Sequence, residues 1–186
     1  MESDLNKDIA ILVNKEYKLK KDYEPDDLVE IDKTYSIKGM ARYEACNSFI
    51  IMAKDAEKKN LHIINESAYR SYNRQKYLFD KEYKEKGDKT LNSIALPGHS
   101  EHQTGLAFDL CTNIFSMYDF DKSDEFVWLS KNAHKYGFIL RYPKGKENIT
   151  GYKYEPWHYR YLGTNLATKV YKSNLTYDEY YKKYLI

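Results

Sequence analysis

The 186-residue sequence has few of the features that define disulfide-rich or membrane-spanning proteins. Two cysteines, Cys46 and Cys111, are too few for a disulfide framework, and they match no zinc-finger or Cys-His catalytic spacing. We interpret both as small buried residues, with a disulfide between them as the alternative. No apolar run reaches the ~20 residues that a membrane-spanning helix needs, and no signal peptide is visible.

An excess of one charge is also missing. The sequence has 30 basic and 28 acidic side chains, for a net charge of +2. Its lysine-rich stretches, residues 15–21 and 81–89, are interspersed with acidic or aromatic residues, which is typical of a solvated face. We therefore expect no nucleic-acid partner. The 20 tyrosines indicate either a compositional bias or a surface that stacks on glycan strands.

Two short stretches contain side chains that bind metals. His102 and Asp109 lie in the first stretch, and His158 in the second. Imidazole nitrogen and carboxylate oxygen are zinc ligands, and three of them leave a fourth position for water, as in a catalytic zinc site. Glu155 is close enough in sequence to act as a base on that water. The alternative is that Glu155 is a fourth ligand, which would make the zinc structural.

Local patterns place these residues on strands and loops. The apolar run 106–110 predicts a buried strand that contains Asp109, and Pro156 favours an extended segment around His158. An apolar stripe predicts a helix over 41–59, and helix caps are expected at Asn73, Ser123 and Thr176. The further predicted elements are strands at 62–65 and 138–141, a loop at 84–97, a hairpin turn at 143–151, and two C-terminal helices at 165–171 and 176–184. This order predicts an α+β fold with an antiparallel sheet.

The motifs resemble those of the VanY-type zinc D-alanyl-D-alanine carboxypeptidases. The family patterns SxHxxGxAxD and ExWH are matched by Ser100, His102, Gly105, Ala107 and Asp109 and by Glu155, Trp157 and His158. The resemblance covers residues 10–165, with Ala68 where the family usually has glycine. It implies a small central antiparallel sheet with packed helices, as in the hedgehog and D,D-peptidase zinc fold. We expect one domain, with an N-terminal arm at about 1–38 and a catalytic core at about 39–186.

The resemblance also implies a role for each site residue. One zinc ion would be bound by His102, Asp109 and His158, with Glu155 as the general base. Arg70 would donate hydrogen bonds to the scissile carbonyl, although an ordinary ion pair is the alternative for this side chain. The expected substrate contacts are Ser100, Gln75, Tyr69 and Trp157.

Two neighbouring residues are expected to lie outside this set. We interpret Glu101 as a solvated loop charge. His99 could form a chelating pair with His102 on a helix, but Pro97-Gly98 favours a loop there. We therefore predict that His99 is not a ligand.

The predicted function is zinc-dependent removal of the C-terminal D-alanine from peptidoglycan stem peptides. The motifs do not separate this D,D-carboxypeptidase from an L,D-carboxypeptidase that acts on tetrapeptide stems. An endopeptidase and a non-catalytic zinc-containing module that binds cell wall are further alternatives. By resemblance we expect a monomer outside the cytoplasmic membrane, with an anchor that precedes Met1 in the full-length protein.

Overall fold

The computed structural model describes residues 8–186, and it is an α+β structure with two small antiparallel sheets. The strands are β1 (Leu28–Glu30), β2 (Met40–Arg42), β3 (Ile64–Ser67), β4 (Ala107–Cys111), β5 (Phe138–Tyr142) and β6 (Glu155–Tyr161). The α-helices are α1 (Tyr43–Glu57), α2 (Tyr72–Lys86), α3 (Asp124–Asn132), α4 (Glu147–Thr150), α5 (Thr164–Ser173) and α6 (Tyr177–Tyr184). The predicted fold class is therefore confirmed.

The larger sheet has the strand order β3-β4-β6-β5, and all of its pairs are antiparallel. Strand β4 is one of the two inner strands and is buried along its whole length, as the apolar run 106–110 predicts. In the register of β4 and β6, Asp109 is the direct partner of His158. Side chains of directly opposite residues lie on the same face of a sheet, so this register brings two predicted ligands together.

Helix α1 supplies one side of the core. Its residues Ala45, Phe49, Ala53 and Ala56 are buried, as the predicted apolar stripe requires. Phe49 stacks on Phe108 of β4 with ring centroids 5.1 Å apart. The helix is shorter than predicted at its start, because residues 41 and 42 pair with β1 instead.

The predicted cap of the second helix is wrong. Ser71, not Asn73, precedes α2, and its hydroxyl accepts a hydrogen bond from the Arg74 backbone N–H at 3.3 Å. Ser71 has extended backbone angles, which aim its side chain at that N–H, whereas Asn73 lies within the first turn. The caps at Ser123 and Thr176 are confirmed, and Thr176 forms a full capping box with Glu179.

Two predicted loops contain helical structure. Helix α2 extends to Lys86 and is followed by a 3-10 helix, Gly87–Asn92, within the predicted loop 84–97. The predicted hairpin turn at 143–151 includes the one-turn helix α4, which ends at Gly151. Neither segment has the long apolar stripe that identifies a helix from sequence.

The N-terminal segment contacts both the middle of the chain, at Gln103, and the C-terminal helix α6. Gln103 donates from its side chain to the carbonyls of Lys20 and Tyr23, at 2.9 and 3.0 Å. Asn14 donates to Asp178 of α6 at 2.8 Å. The boundary of the predicted arm at residue 38 stays a prediction, and residues 1–7 lie outside the described part of the chain.

Two further expectations concern cysteines and membrane spans. Cys46 and Cys111 are both buried free thiols, as the first interpretation of them requires. Between residues 8 and 186, no helix has the length and apolar character to cross a bilayer.

Candidate metal centre and active-site cleft

His102, Asp109 and His158 converge on one point. Each offers a ligand atom, and these atoms all lie within 4.8 Å of one another. All three residues are buried, with 4% exposure each. They come from three elements: His102 from the 3-10 helix Glu101–Thr104, Asp109 from β4, and His158 from β6. The structure therefore brings together the predicted metal ligands.

A glycine allows His102 to reach this point. Gly105 ends the 3-10 helix with φ at 68°, a left-handed conformation that side chains disfavour. A Cβ at this position would lie 2.9 Å from Leu28 and 3.0 Å from Arg42 side-chain atoms. The chain turns here from the 3-10 helix into β4, so that His102 and Asp109 can approach each other.

Hydrogen bonds fix which atoms point at the centre. The Nδ1 of His102 lies 2.7 Å from the carbonyl oxygen of Ala68, and only a nitrogen that carries hydrogen can make that bond. Its Nε2 is then free to bind a metal, and it lies 3.1 Å from Asp109 Oδ2. In His158 the Nδ1 faces the centre, 3.1 Å from Asp109 Oδ1.

The electrostatics keep Asp109 ionised. Burial raises the pKa of its carboxyl, but the adjacent His102 and His158 outweigh this effect and hold the pKa well below its usual range. Burial lowers the pKa of His102, which favours the neutral form that binds metals. Burial also lowers the pKa of His158, but hydrogen bonds to Asp109 and Glu101 prevail and raise it to about 9.

This donor set fits zinc. Two imidazole nitrogens and one carboxylate oxygen are a common protein ligand set for catalytic zinc, which keeps a further position open. The group is buried, yet it borders a cavity of about 660 Å³, so a small molecule can reach it. Each imidazole also has a hydrogen-bond partner on its second nitrogen, as metal-bound histidines usually do.

Glu155 stands beside this centre rather than within it. Its Oε2 lies 3.7 Å from Nδ1 of His158, and its side chain is 14% exposed. Among the described residues, the group that could hold a metal does not include Glu155. Burial raises its pKa to about 7, and the nearby His158 opposes that rise. A carboxylate with such a pKa can both take up and release a proton near neutral pH.

Arg70 lies on the other side of Asp109. Its guanidinium is 3.7 Å from Asp109 Oδ2, and it donates to the side chains of Gln75 at 2.9 Å and Ser67 at 3.3 Å. Gln75 is itself held, because its amide donates to the Ala95 carbonyl at 2.7 Å. Arg70 is therefore a directed donor in the cleft, and Gln75 helps to fix its orientation.

The cavity receives most of the predicted substrate contacts. Its lining includes Ser100, Gln75 and Trp157 together with Arg70 and Glu155. The lining residues of the described chain do not include Tyr69. Burial and the carboxylate of Glu24 raise the pKa of the Tyr69 hydroxyl to about 12.

The prediction for Glu101 is wrong. This residue is 1% exposed and accepts from Arg141 at 2.7 Å and from Arg160 at 2.9 Å. Burial raises its pKa, but the two guanidinium groups overcome this and keep the carboxyl ionised. Its side chain is buried because Arg141 and Arg160, which lie 40 and 59 positions later in the sequence, pack around it. Among the described residues, the candidate metal group does not include His99, whose Nδ1 lies 2.8 Å from the Asn14 carbonyl.

The cavity lining also includes tyrosines that were not predicted as site residues, among them Tyr118, Tyr142 and Tyr152. Tyr142 and Tyr152 line it, and the ring of Tyr142 lies 4.9 Å from that of His158. Tyr118 is 72% exposed, and its ring makes an edge contact with Trp157 at 5.4 Å. No sequence signal distinguished these three from the other tyrosines of the chain.

Comparison with known proteins identifies the family. A family model described as VanY, D-alanyl-D-alanine carboxypeptidase, matches residues 39–164, which include the candidate metal ligands, Glu155 and Arg70. The chain belongs to this carboxypeptidase family.

Two sequence relatives cover nearly the whole chain. An unproven carboxypeptidase of Bacillus subtilis (strain 168), YodJ, is 45% identical over 94% of this chain and 67% of its own length. A D-alanyl-D-alanine carboxypeptidase of Enterococcus faecium is 34% identical over 91% of this chain, which spans only 56% of that protein.

Solved structures agree with this fold. The LD-carboxypeptidase LdcB is 43% identical, with a TM-score of 0.91 over 97% of this chain and 88% of its own. A variant of VanY from a VanB-type vancomycin resistance cassette, in complex with Zn(II), is 33% identical, with a TM-score of 0.78 over 92% of this chain and 97% of its own.

Proposed function

We propose that this protein is a zinc carboxypeptidase that removes the C-terminal D-alanine from peptidoglycan stem peptides. One observation carries the proposal: three buried ligand atoms converge within 4.8 Å at the edge of a cavity that also contains Glu155 and Arg70. Membership in a D-alanyl-D-alanine carboxypeptidase family supports it, and so does a relative in complex with Zn(II). His102 would bind zinc through Nε2, His158 through Nδ1, and Asp109 through its carboxylate.

Zinc, when bound, supplies a Lewis acid that polarises the scissile carbonyl and activates water. Glu155 accepts a proton from the attacking water, because its carboxylate borders the centre and its raised pKa suits proton uptake near neutral pH. After the tetrahedral intermediate forms, Glu155 donates that proton to the nitrogen of the departing D-alanine. The peptide bond then breaks and the shortened stem peptide leaves with a new carboxylate.

Arg70 stabilises the negative charge that develops on the carbonyl oxygen. Its guanidinium is held by Ser67 and Gln75, so it needs little rearrangement when that charge forms. Among the remaining cavity residues, Trp157 and Ser100 would contact the substrate. Tyr69 stays a predicted substrate contact, although the described residues that line the cavity do not include it.

A second candidate is L,D-carboxypeptidase activity on tetrapeptide stems. The observation that favours it is the similarity to the LD-carboxypeptidase LdcB, which exceeds the similarity to the zinc-bound VanY variant in both identity and TM-score. The two candidates share every catalytic step, and they differ in the residue that precedes the terminal D-alanine.

One experiment tests the proposal and separates these candidates. Zinc-loaded protein is incubated with a pentapeptide stem that ends in D-Ala-D-Ala and, separately, with the matching tetrapeptide, and products are measured by mass spectrometry. We expect loss of one alanine from the pentapeptide, abolished by a chelator and restored by zinc. Loss from the tetrapeptide alone would assign the L,D activity. Absence of cleavage of both peptides, with zinc present, would contradict the proposal and favour a module that only binds cell wall.

The proposed substrate also implies a location. Peptidoglycan lies outside the cytoplasmic membrane, so we propose that the protein acts there, and as a monomer with a single zinc ion in each chain.

A further inference from the structure

A buried carboxylate lies directly behind one candidate ligand. The Oε2 of Glu101 is 3.3 Å from Nε2 of His158, the ring nitrogen that faces away from the metal centre. The Glu101 side chain is fully buried and that of His158 is 5% exposed. The contact is therefore shielded from bulk water. A charge-assisted hydrogen bond is stronger in such a buried environment than in water.

The other oxygen of Glu101 accepts two hydrogen bonds from arginines. Its Oε1 accepts from Nε of Arg141 at 2.7 Å and from a terminal nitrogen of Arg160 at 2.9 Å. Both arginines are completely buried. The two oxygens thus have separate partners: Oε1 accepts from two guanidinium groups, and Oε2 faces His158.

The arginines are in turn fixed by the rest of the fold. Arg141 also donates from its Nη2 to Oδ1 of Asp178 in α6, at 3.2 Å. Arg160 donates to the backbone carbonyls of Ile9 and Ile11, at 3.0 and 2.7 Å. The two arginines therefore orient the Glu101 carboxylate through Oε1, so that its Oε2 faces His158.

We propose that Glu101 is a positioning residue that selects the metal-binding tautomer of His158. An ionised carboxylate only accepts hydrogen bonds, so the nitrogen that faces it must carry the hydrogen. That holds a hydrogen of His158 on Nε2. The nitrogen that gives up its proton to bind a metal is then Nδ1, which faces the centre. A carboxylate in this position also makes the imidazole a better electron donor. The inference rests on the zinc site of the proposed function and adds a residue to it.

The substitution Glu101→Gln tests this claim sharply. The two guanidinium groups demand an acceptor, so the glutamine carbonyl would take the place of Oε1 and its NH2 group would face His158. An NH2 group donates, and Nε2 of His158 would have to accept. The hydrogen would then move to Nδ1, the nitrogen that must bind the metal. We expect zinc affinity to fall by about 10- to 100-fold, as for other supporting carboxylates at zinc sites.

Asp178→Asn is the matched control. It removes a buried carboxylate from the same arginine network, next to Arg141, but it leaves the contact between Glu101 and His158 in place. We expect a lower melting temperature for this variant and a zinc affinity within about threefold of wild type. Zinc affinity is measured for all three proteins by competition with a chromogenic chelator, and thermal unfolding is measured with and without zinc.

The outcomes separate the two proposals. Weakened zinc binding in Glu101→Gln, but not in Asp178→Asn, supports the inference. Wild-type affinity in Glu101→Gln, or an equal loss in both variants, would overturn it, because the network would then act only through stability. Failure of the wild-type protein to bind zinc would contradict the proposed function itself, and the tautomer assignment with it.

A direct measurement covers the case in which Glu101→Gln does not fold. Nitrogen-15 NMR of histidine in the zinc-loaded wild-type protein distinguishes a ring nitrogen that carries hydrogen from one that binds metal. We expect hydrogen on Nε2 of His158 and zinc on Nδ1. The reverse assignment would overturn the inference.

Discussion

Glu155→Gln is the substitution that separates chemistry from metal binding. The amide has almost the shape of the carboxylate but cannot accept a proton from water. Because Glu155 stands outside the group of three ligand atoms, its loss should leave zinc in place. General acid–base catalysis contributes about 10²- to 10⁴-fold, which corresponds to roughly 3–5.5 kcal/mol of barrier.

The assay measures kcat for D-alanine release from the pentapeptide, together with zinc content by elemental analysis. We expect kcat to fall at least about 100-fold while one zinc per chain remains. Glu16→Gln is the matched control, since this carboxylate is exposed and pairs with Lys182 away from the cleft. It should retain wild-type kcat and zinc. Loss of zinc in Glu155→Gln would refute the reasoning and make Glu155 a ligand, and nearly unchanged kcat would refute its role as a base.

Three other perturbations give distinct readouts. Arg70→Lys should lower kcat by about 10²- to 10³-fold with zinc retained, because a lysine cannot replace a guanidinium held by two side chains. Arg74→Lys is its control. Wild-type kcat in Arg70→Lys would exclude a role of Arg70 in stabilising the oxyanion. His158→Ala should lose zinc in elemental analysis, and full occupancy would refute its assignment as a ligand. Ser123→Ala should lower the free energy of unfolding by about 1 kcal/mol through loss of the α3 cap, measured by denaturant titration with zinc bound; an unchanged value would show that the cap does not stabilise α3.

The residues that bind and react could be predicted from the sequence because their chemistry and spacing are local. His102, Gly105 and Asp109 lie within eight positions, and Glu155 and His158 within four, so a short motif contains them. The apolar run around Asp109 also predicts its strand correctly. The direct pairing of Asp109 with His158 depends on strand register, which neither stretch determines alone.

Glu101 shows why the rest could not be predicted. A charged residue between two polar ones in a loop is typical of a solvated surface, and nothing within its own segment indicates burial. Its environment comes from Arg141 and Arg160 on two later strands, and from the contact of Arg141 with Asp178 on α6. Such a network forms only when distant parts of the chain fold together. The prediction of the α2 cap was wrong for a more local reason. Ser71 and Asn73 are both good cap residues, and only the backbone angles decide between them.

The most direct test of the central claim is a crystal structure of the zinc-loaded protein with anomalous diffraction at the zinc absorption edge. We expect one anomalous peak at about 2.0–2.2 Å from Nε2 of His102, Nδ1 of His158 and a carboxylate oxygen of Asp109. Glu155 should lie beside the metal without binding it. A zinc ion bound elsewhere, or one bound through Nε2 of His158, would contradict the proposed metal site.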